Sequence, residues 1–177
     1  GYSDEWVVEA EKRGLPNIKS MIEAASTLTS DKAVALFEKF GIYTKAELES
    51  REEIIYETYA KTINIEALTM IDMAGKQIIP AVVKYTKTLA DTANAIKAAG
   101  GDASVQTELL ADVSTKLAAM QKALNKLVAD EKEASAMEDV KAQAFFYKDT
   151  IKATMDELRK PADELEMIVD KDVWPIP

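Results

Sequence analysis

The chain has 177 residues, of which 47% are hydrophobic, with only 6 Gly and 5 Pro. That length suits one ordinary domain, and a sheet protein of this size needs more turn residues, whereas Ala, Glu, Lys, Leu and Met, which dominate here, favour helix. The net charge of −9 argues against nucleic acid and against anionic membrane surfaces, and the absence of Cys and His removes disulfides, thiol chemistry and the commonest metal ligand.

No apolar run approaches the roughly 20 residues of a membrane span. The longest, Ile78–Val83, is interrupted by Pro80. No signal peptide is visible, and the acidic balance fits a cytoplasmic protein. The chain starts at Gly1 without Met and stops at Pro177, which reads as a piece of something longer.

Residues 1–43 read as short helices joined by tight breaks. Asp4–Arg13 places Trp6, Val7 and Ala10 on one face, Gly14 suits a left-handed cap, and Pro16 prevents continuation. Ser20-Met-Ile-Glu23 is a capping box opening a helix to about Leu28. A third helix follows Ser30, carries Val34, Leu36, Phe37 and Phe40, and ends at Gly41.

Residues 44–169 read as a bundle of long helices. Thr44-Lys-Ala-Glu47 is a second capping box, and no Gly–Pro or Asn–Gly break appears before Gly100-Gly101. One helix from Lys45 to Ala99 would be about 80 Å long at about 1.5 Å per residue. Ile63, Ala67, Ile71, Ala74, Ile78, Val82, Tyr85, Leu89, Ala93 and Ile96 recur at a mean near 3.67 residues, the period of an almost straight helix. Pro80 should kink it by freeing the carbonyl of Lys76. After the turn at Gly100-Gly101-Asp102, Leu110, Val113, Leu117, Met120, Leu124 and Leu127 form a heptad seam. Ser135-Ala-Met-Glu138 reads as a third capping box. Met137, Val140, Ala144, Tyr147, Ile151, Met155 and Leu158 then share a face until Pro161 breaks or kinks the helix. Ala162–Val169 continues apolar on one side, and 170–177 is a non-helical tail.

The expected fold is therefore all-α: an antiparallel bundle of three long helices, one very long and kinked at Pro80, preceded by short N-terminal helices. The later helices are each about half as long as Lys45–Ala99 and can cover only its second half, roughly Thr69 to Ala99. Glu47–Leu68 must pack on the N-terminal helices, a further domain or a neighbouring subunit.

Catalytic chemistry finds little support. A ferritin-like di-metal centre needs Glu-x-x-His on two helices, and His is absent. The carboxylates Glu52, Glu53 and Glu57, Asp130, Glu131 and Glu133, and Glu138 and Asp139 read as solvated faces beside Lys and Arg. Glu57–Lys61 and Asp72–Lys76 stand at i,i+4. Gly100-Gly101 is a helix stop and not a phosphate loop. Met70, Met73, Met120, Met137 and Met155 fit ordinary core packing. Phe145-Phe146-Tyr147 cannot all face one core, so one or two should be exposed or meet a partner. Trp6 and Trp174 raise the same question.

An ordered set of motifs resembles a known family. It comprises Gly1-Tyr-Ser-Asp-Glu-Trp6, Glu9-Ala-Glu11, Arg13-Gly-Leu-Pro-Asn17, Ala35-Leu-Phe-Glu-Lys39, Glu47-Leu-Glu-Ser-Arg51, Lys61-Thr-Ile-Asn-Ile-Glu66, Ile79-Pro-Ala81 with Tyr85, Pro161-Ala-Asp-Glu-Leu165 and Val173-Trp-Pro175. Together they resemble the C-terminal region of type III glutamine synthetases, the large bacterial form, over essentially the whole chain. The resemblance implies a parent enzyme that ligates ammonia to glutamate with ATP hydrolysis through a γ-glutamyl phosphate, uses Mg²⁺ or Mn²⁺, and assembles as stacked rings. The family's nucleotide, glutamate and metal residues lie on an upstream barrel domain whose motifs do not occur here. No catalytic, cofactor-binding or metal residue is therefore carried over, and no cofactor is expected on this chain itself. The family continues past Val173-Trp-Pro-Ile-Pro177 for a short tail.

The expected partners are the chain's own catalytic domain and neighbouring subunits of a homo-oligomer, with no nucleic acid and no membrane. Glu47–Leu68 is the expected contact surface, and the role is structural or regulatory. The rival readings are a free-standing helical interaction or scaffold module and, more weakly, a carboxylate metal site in the bundle.

Overall fold

In a computed structural model, residues 3–176 are described, and all regular structure among them is helical. Gly1, Tyr2 and Pro177, which take part in the motif and tail readings above, lie outside the described residues. The chain divides into two compact units. One is built from the chain up to Ala60 with Asp139–Phe145, the other from Lys61–Glu138 and the chain from Phe146 onward.

In the first unit, each helix start and stop has a local cause. Helix α1 (Asp4–Lys12) is capped by Ser3, whose hydroxyl accepts from the Trp6 N–H. It ends at Gly14, where φ is +72°, and the Leu15 N–H donates to the Ala10 carbonyl at 2.9 Å, closing a Schellman turn. Helix α2 (Met21–Ala25) starts at Ser20, which accepts from the Glu23 N–H at 3.2 Å. It stops short of the expected Leu28. The N–H groups of Thr27 and Leu28 bond three residues back, and the Thr27 hydroxyl takes the Ala24 carbonyl at 2.7 Å, so the chain tightens instead of propagating.

Helix α3 (Asp31–Lys39) runs from a Ser30 cap to Gly41, where φ is +61° and the Ile42 N–H donates to the Phe37 carbonyl at 3.0 Å. Helix α4 (Lys45–Met73) opens on a reciprocal capping box: the Thr44 N–H donates to Glu47 Oε2 at 2.7 Å, and the Glu47 N–H donates to Thr44 Oγ1 at 3.3 Å. The backbone N–H of Thr44, then its hydroxyl, hold the Glu47 carboxyl below the usual range.

Helix α6 (Ser104–Ser135) and helix α7 (Val140–Phe146) meet at a turn that corrects the sequence reading. Ser135 is not a cap. It is the last residue of α6, and its hydroxyl donates to Glu131 at 2.5 Å. The cap is Asp139, whose carboxylate accepts from the Ala142 N–H at 2.6 Å. Helix α6 stays regular one turn past Asp130-Glu131, so the residues free to turn lie further along. The core of the first unit joins Ile22 and Ala25 of α2, Tyr56 of α4 and Ala144 of α7, flanked by Ile55, Tyr59, Val140 and Phe145. The first half of α4 thus packs on α7 as well as on α2, and so finds more cover within the chain than the helix lengths suggest.

In the second unit, α4 passes into a π turn (Ala74–Ile78) and then α5 (Ile79–Ala98), so helix is continuous over 54 residues. The π turn is the local response to Pro80, which lacks an N–H and whose ring crowds the carbonyl of Lys76. The Ile79 N–H bonds five residues back, to Ala74. Gly100, with φ +76°, ends α5, and the Gly101 N–H donates to the Ile96 carbonyl at 2.9 Å.

Of the long stripe, Ile63, Ala67, Ala74, Ile78, Val82, Leu89 and Ala93 are buried, and Ile71, Tyr85 and Ile96 are half-buried. The α6 seam buries Val113, Met120, Leu124 and Leu127 and half-buries Leu110 and Leu117. A second π turn (Tyr147–Ile151) precedes α8 (Lys152–Glu166). The buried line here is Tyr147, Ile151, Thr154, Leu158, Pro161 and Leu165, with Met155 only half-buried, so Thr154 holds the core position expected of Met155. The Thr154 hydroxyl donates to the Thr150 and Ile151 carbonyls, which makes its burial tolerable. Pro161 does not end the helix; α8 continues through it to Glu166. Helix α6 packs on both α5 and α8, and Lys126 reaches Glu157 across the α6–α8 pair at 2.7 Å.

Candidate functional site

Two features of the first unit stand out: one buried ionisable cluster and a set of uncovered apolar residues. The cluster grows from the register of α4. Leu48, Glu52, Tyr56 and Ala60 follow at intervals of four and are all buried, so a carboxylate occupies a place in a core stripe. The Glu52 carboxylate is only 8% exposed and accepts from the Tyr56 hydroxyl at 2.5 Å. Ser26 Oγ lies 2.7 Å from the same hydroxyl. Lys141 Nζ of α7 stands 3.6 Å from Glu52 and 5.6 Å from the centre of the Tyr56 ring.

These contacts set the ionisation of each group. Burial opposes the Glu52 charge, but hydrogen bonds from Thr29 and Tyr56 and the Lys141 ammonium outweigh it, and its carboxyl lies below the usual range. Burial, reinforced by the hydrogen bond to Glu52, pushes the Tyr56 phenol up. Burial lowers the Lys141 ammonium, but the facing oxygens of Tyr56 and Glu52 prevail and raise it. The Tyr56 hydroxyl, the Glu52 carboxylate and the Lys141 ammonium are paired with one another, which is the arrangement of a structural network. The sequence reading of Glu52 as part of a solvated face is therefore corrected. Its four-residue spacing from Leu48 and Tyr56 was the available signal.

The remaining candidates fall out as follows. Among the described residues, no three Asp or Glu side chains converge as a metal cage requires. Asp72 and Lys76 form their i,i+4 pair. None of Phe145, Phe146 and Tyr147 is exposed, so of the two expected outcomes, exposure or a partner, exposure does not hold. The division between the two units falls after Phe145, so each unit houses its own part of the run: the Phe145 ring lies 6.3 Å from that of Tyr56, and Tyr147 is fully buried. Trp6 is exposed, whereas Trp174 is half-buried. In the second unit, Met70, Met73, Ala74, Ile78, Met120 and Leu158 line an open apolar cavity of about 150 Å³. No helix among the described residues is long and apolar enough to cross a membrane.

Comparison with known proteins decides the family. Residues 1–97 match the family described as glutamine synthetase C-terminal domain. The chain belongs to that family. A glutamine synthetase of Butyrivibrio fibrisolvens is 42% identical over 171 residues, which is 96% of this chain and 24% of the relative. A type-3 glutamine synthetase of Dictyostelium discoideum is 33% identical over all of this chain and 25% of its own length. A glutamine synthetase of Bacteroides fragilis is 30% identical over the same shares. The chain therefore spans about a quarter of the length of the curated relatives it matches. As a glutamine synthetase C-terminal domain, it agrees with the reading drawn from its ordered motifs.

Proposed function

We propose that this chain is the non-catalytic helical region of a type III glutamine synthetase whose full-length form ligates ammonia to glutamate with ATP hydrolysis. The observation that carries this reading is the family match combined with its extent: the chain aligns along its whole length with synthetases four times as long. Nucleotide, glutamate and Mg²⁺ or Mn²⁺ bind elsewhere in the full-length, cytoplasmic protein. The shifted ionisable groups Glu52, Tyr56 and Lys141 pair with one another, which supports a structural role.

In this reading α5, α6 and α8 form an antiparallel bundle of three long helices. The region packs on the catalytic domain and supports assembly of a homo-oligomer. Exposed Ile54, Ile65 and Leu68 on α4 make the Glu47–Leu68 segment, with its Lys61-Thr-Ile-Asn-Ile-Glu66 motif, a contact region. The test is synthetase turnover. The full-length protein forms glutamine from glutamate, ammonia and ATP, and the isolated chain does not; glutamine formation by the isolated chain overturns the assignment.

A further inference from the structure

The first unit carries more apolar surface than a self-contained domain needs. Helices α1 and α3 bury none of their residues. On α3, Ala33, Val34 and Phe37 are half-buried, and the Phe37 ring packs 5.6 Å from Tyr43, which Arg51 covers at 4.2 Å. These residues define the inward side. Leu36 and Phe40, one turn apart, and Ile42 just beyond the helix are exposed, Phe40 by 64%. The apolar residues of α3 thus form one broad stripe, half-buried along its Ala33, Val34 and Phe37 edge and exposed along its Leu36 and Phe40 edge. Helix α1 adds exposed Trp6, Val7 and Val8. Lys39 stands over the Phe40 ring and Arg13 over the Trp6 ring, at 5.7 and 5.6 Å.

We propose that the outer side of α3, Leu36, Phe40 and Ile42, together with Trp6, Val7 and Val8 of α1, is the seat of the preceding part of the same polypeptide. The inference rests on the reading above, in which this region ends a longer synthetase. Three observations select this occupant. The matched relatives are about four times as long, and a C-terminal domain has the rest of its chain before it. That chain arrives at α1, and consecutive elements are usually neighbours in space. All six residues also fall within the family-matched stretch 1–97. The six exposed side chains are aromatic or aliphatic, with Lys39 beside the Phe40 ring and Arg13 beside the Trp6 ring.

The test uses the full-length protein with Phe40→p-benzoylphenylalanine, co-assembled from isotopically light and heavy subunits. After illumination, cross-linked peptides are identified by mass spectrometry. Pairs of a single isotope joining position 40 to the preceding chain are expected. Light–heavy pairs, which mean that another copy occupies the face, overturn the proposal, as does a position 40 that cross-links to nothing. Leu36→p-benzoylphenylalanine gives the same readout where the first variant does not fold. In the Leu36→Ala, Phe40→Ala double variant, amide exchange along α3 in the full-length protein speeds up on the order of tenfold; unchanged exchange also overturns it. Glutamine formation by the parent protein is measured in parallel. An active enzyme with cross-links to another copy removes this seat alone, whereas an inactive protein with the expected cross-links removes the enzyme reading and leaves the seat.

Discussion

Removing one hydroxyl from the first unit tests whether its buried network holds α7 to α4. Tyr56→Phe keeps the ring, which is 3% exposed, and deletes only the group placed between Glu52 at 2.5 Å and Ser26 at 2.7 Å. The Glu52 carboxylate then stays buried with one donor fewer. A hydrogen bond to a charged group contributes about 1.5–3 kcal/mol. Thr29 and Lys141 remain to hold the carboxylate, so the lower part of that range, about 2 kcal/mol, is the expected loss. Native-state hydrogen exchange reads it directly: amides of Val140–Phe146 should exchange about 30-fold faster at pH 7, at about 1.4 kcal/mol per tenfold.

The acid response follows from the same bonds. Glu52 is lowered in the folded state, so its contribution is present above the unfolded value of about 4.3 and is lost as pH falls through the folded value. Tyr56→Phe removes one of the bonds that lower it and should flatten stability against pH below about 4.3. Unchanged exchange in α7 together with an unchanged acid profile would refute the account of the network.

Other substitutions probe the helices one at a time. Gly75→Ala should be neutral or stabilising by up to about 1 kcal/mol in urea denaturation, because the added Cβ meets only Leu124 Cδ2 at 3.7 Å inside a helical run. Gly100→Ala should cost about 1–2 kcal/mol, since φ there is +76°. Leu158→Ala should cost about 2–5 kcal/mol by emptying a core position, whereas Thr154→Val, which loses only a bond to its own helix, should cost less than about 1.5 kcal/mol. Pro80→Ala restores the N–H that the Lys76 carbonyl lacks, and the Ala74–Ile78 turn should relax to α-helix in a crystal structure or by amide exchange; persistence of the π turn would separate it from the proline.

The helix boundaries were legible wherever the determinant is local. Ser20, Ser30 and Thr44-Glu47 cap as their spacing indicates, and Gly14, Gly41 and Gly100 take the left-handed conformation that ends each helix. The stripe from Ile63 to Ile96 was legible because burial repeats with the helix. Part of what was missed depends on partners distant in sequence. Glu52 is held inside by Thr29 and Tyr56 and by Lys141, which arrives from α7, 89 positions away, a partner that no helical period on α4 announces. Asp139 displaced Ser135 as cap because α6 runs on to its last possible turn. The π turn at Tyr147–Ile151 contains no proline, and by shifting the register it brings Thr154 inward where the spacing had pointed to Met155. The family came from the ordered motifs and not from the physics of the helices.

The proposed structural role of the region is tested most directly by weighing the assembly. Light scattering of the full-length synthetase beside a version lacking the segment equivalent to this chain, with ATP binding measured on both, separates scaffold from catalyst. The account predicts that the shortened protein still binds ATP but no longer reaches the mass of the full-length assembly. A shortened protein that assembles to the same subunit number and turns over at the same kcat would contradict it.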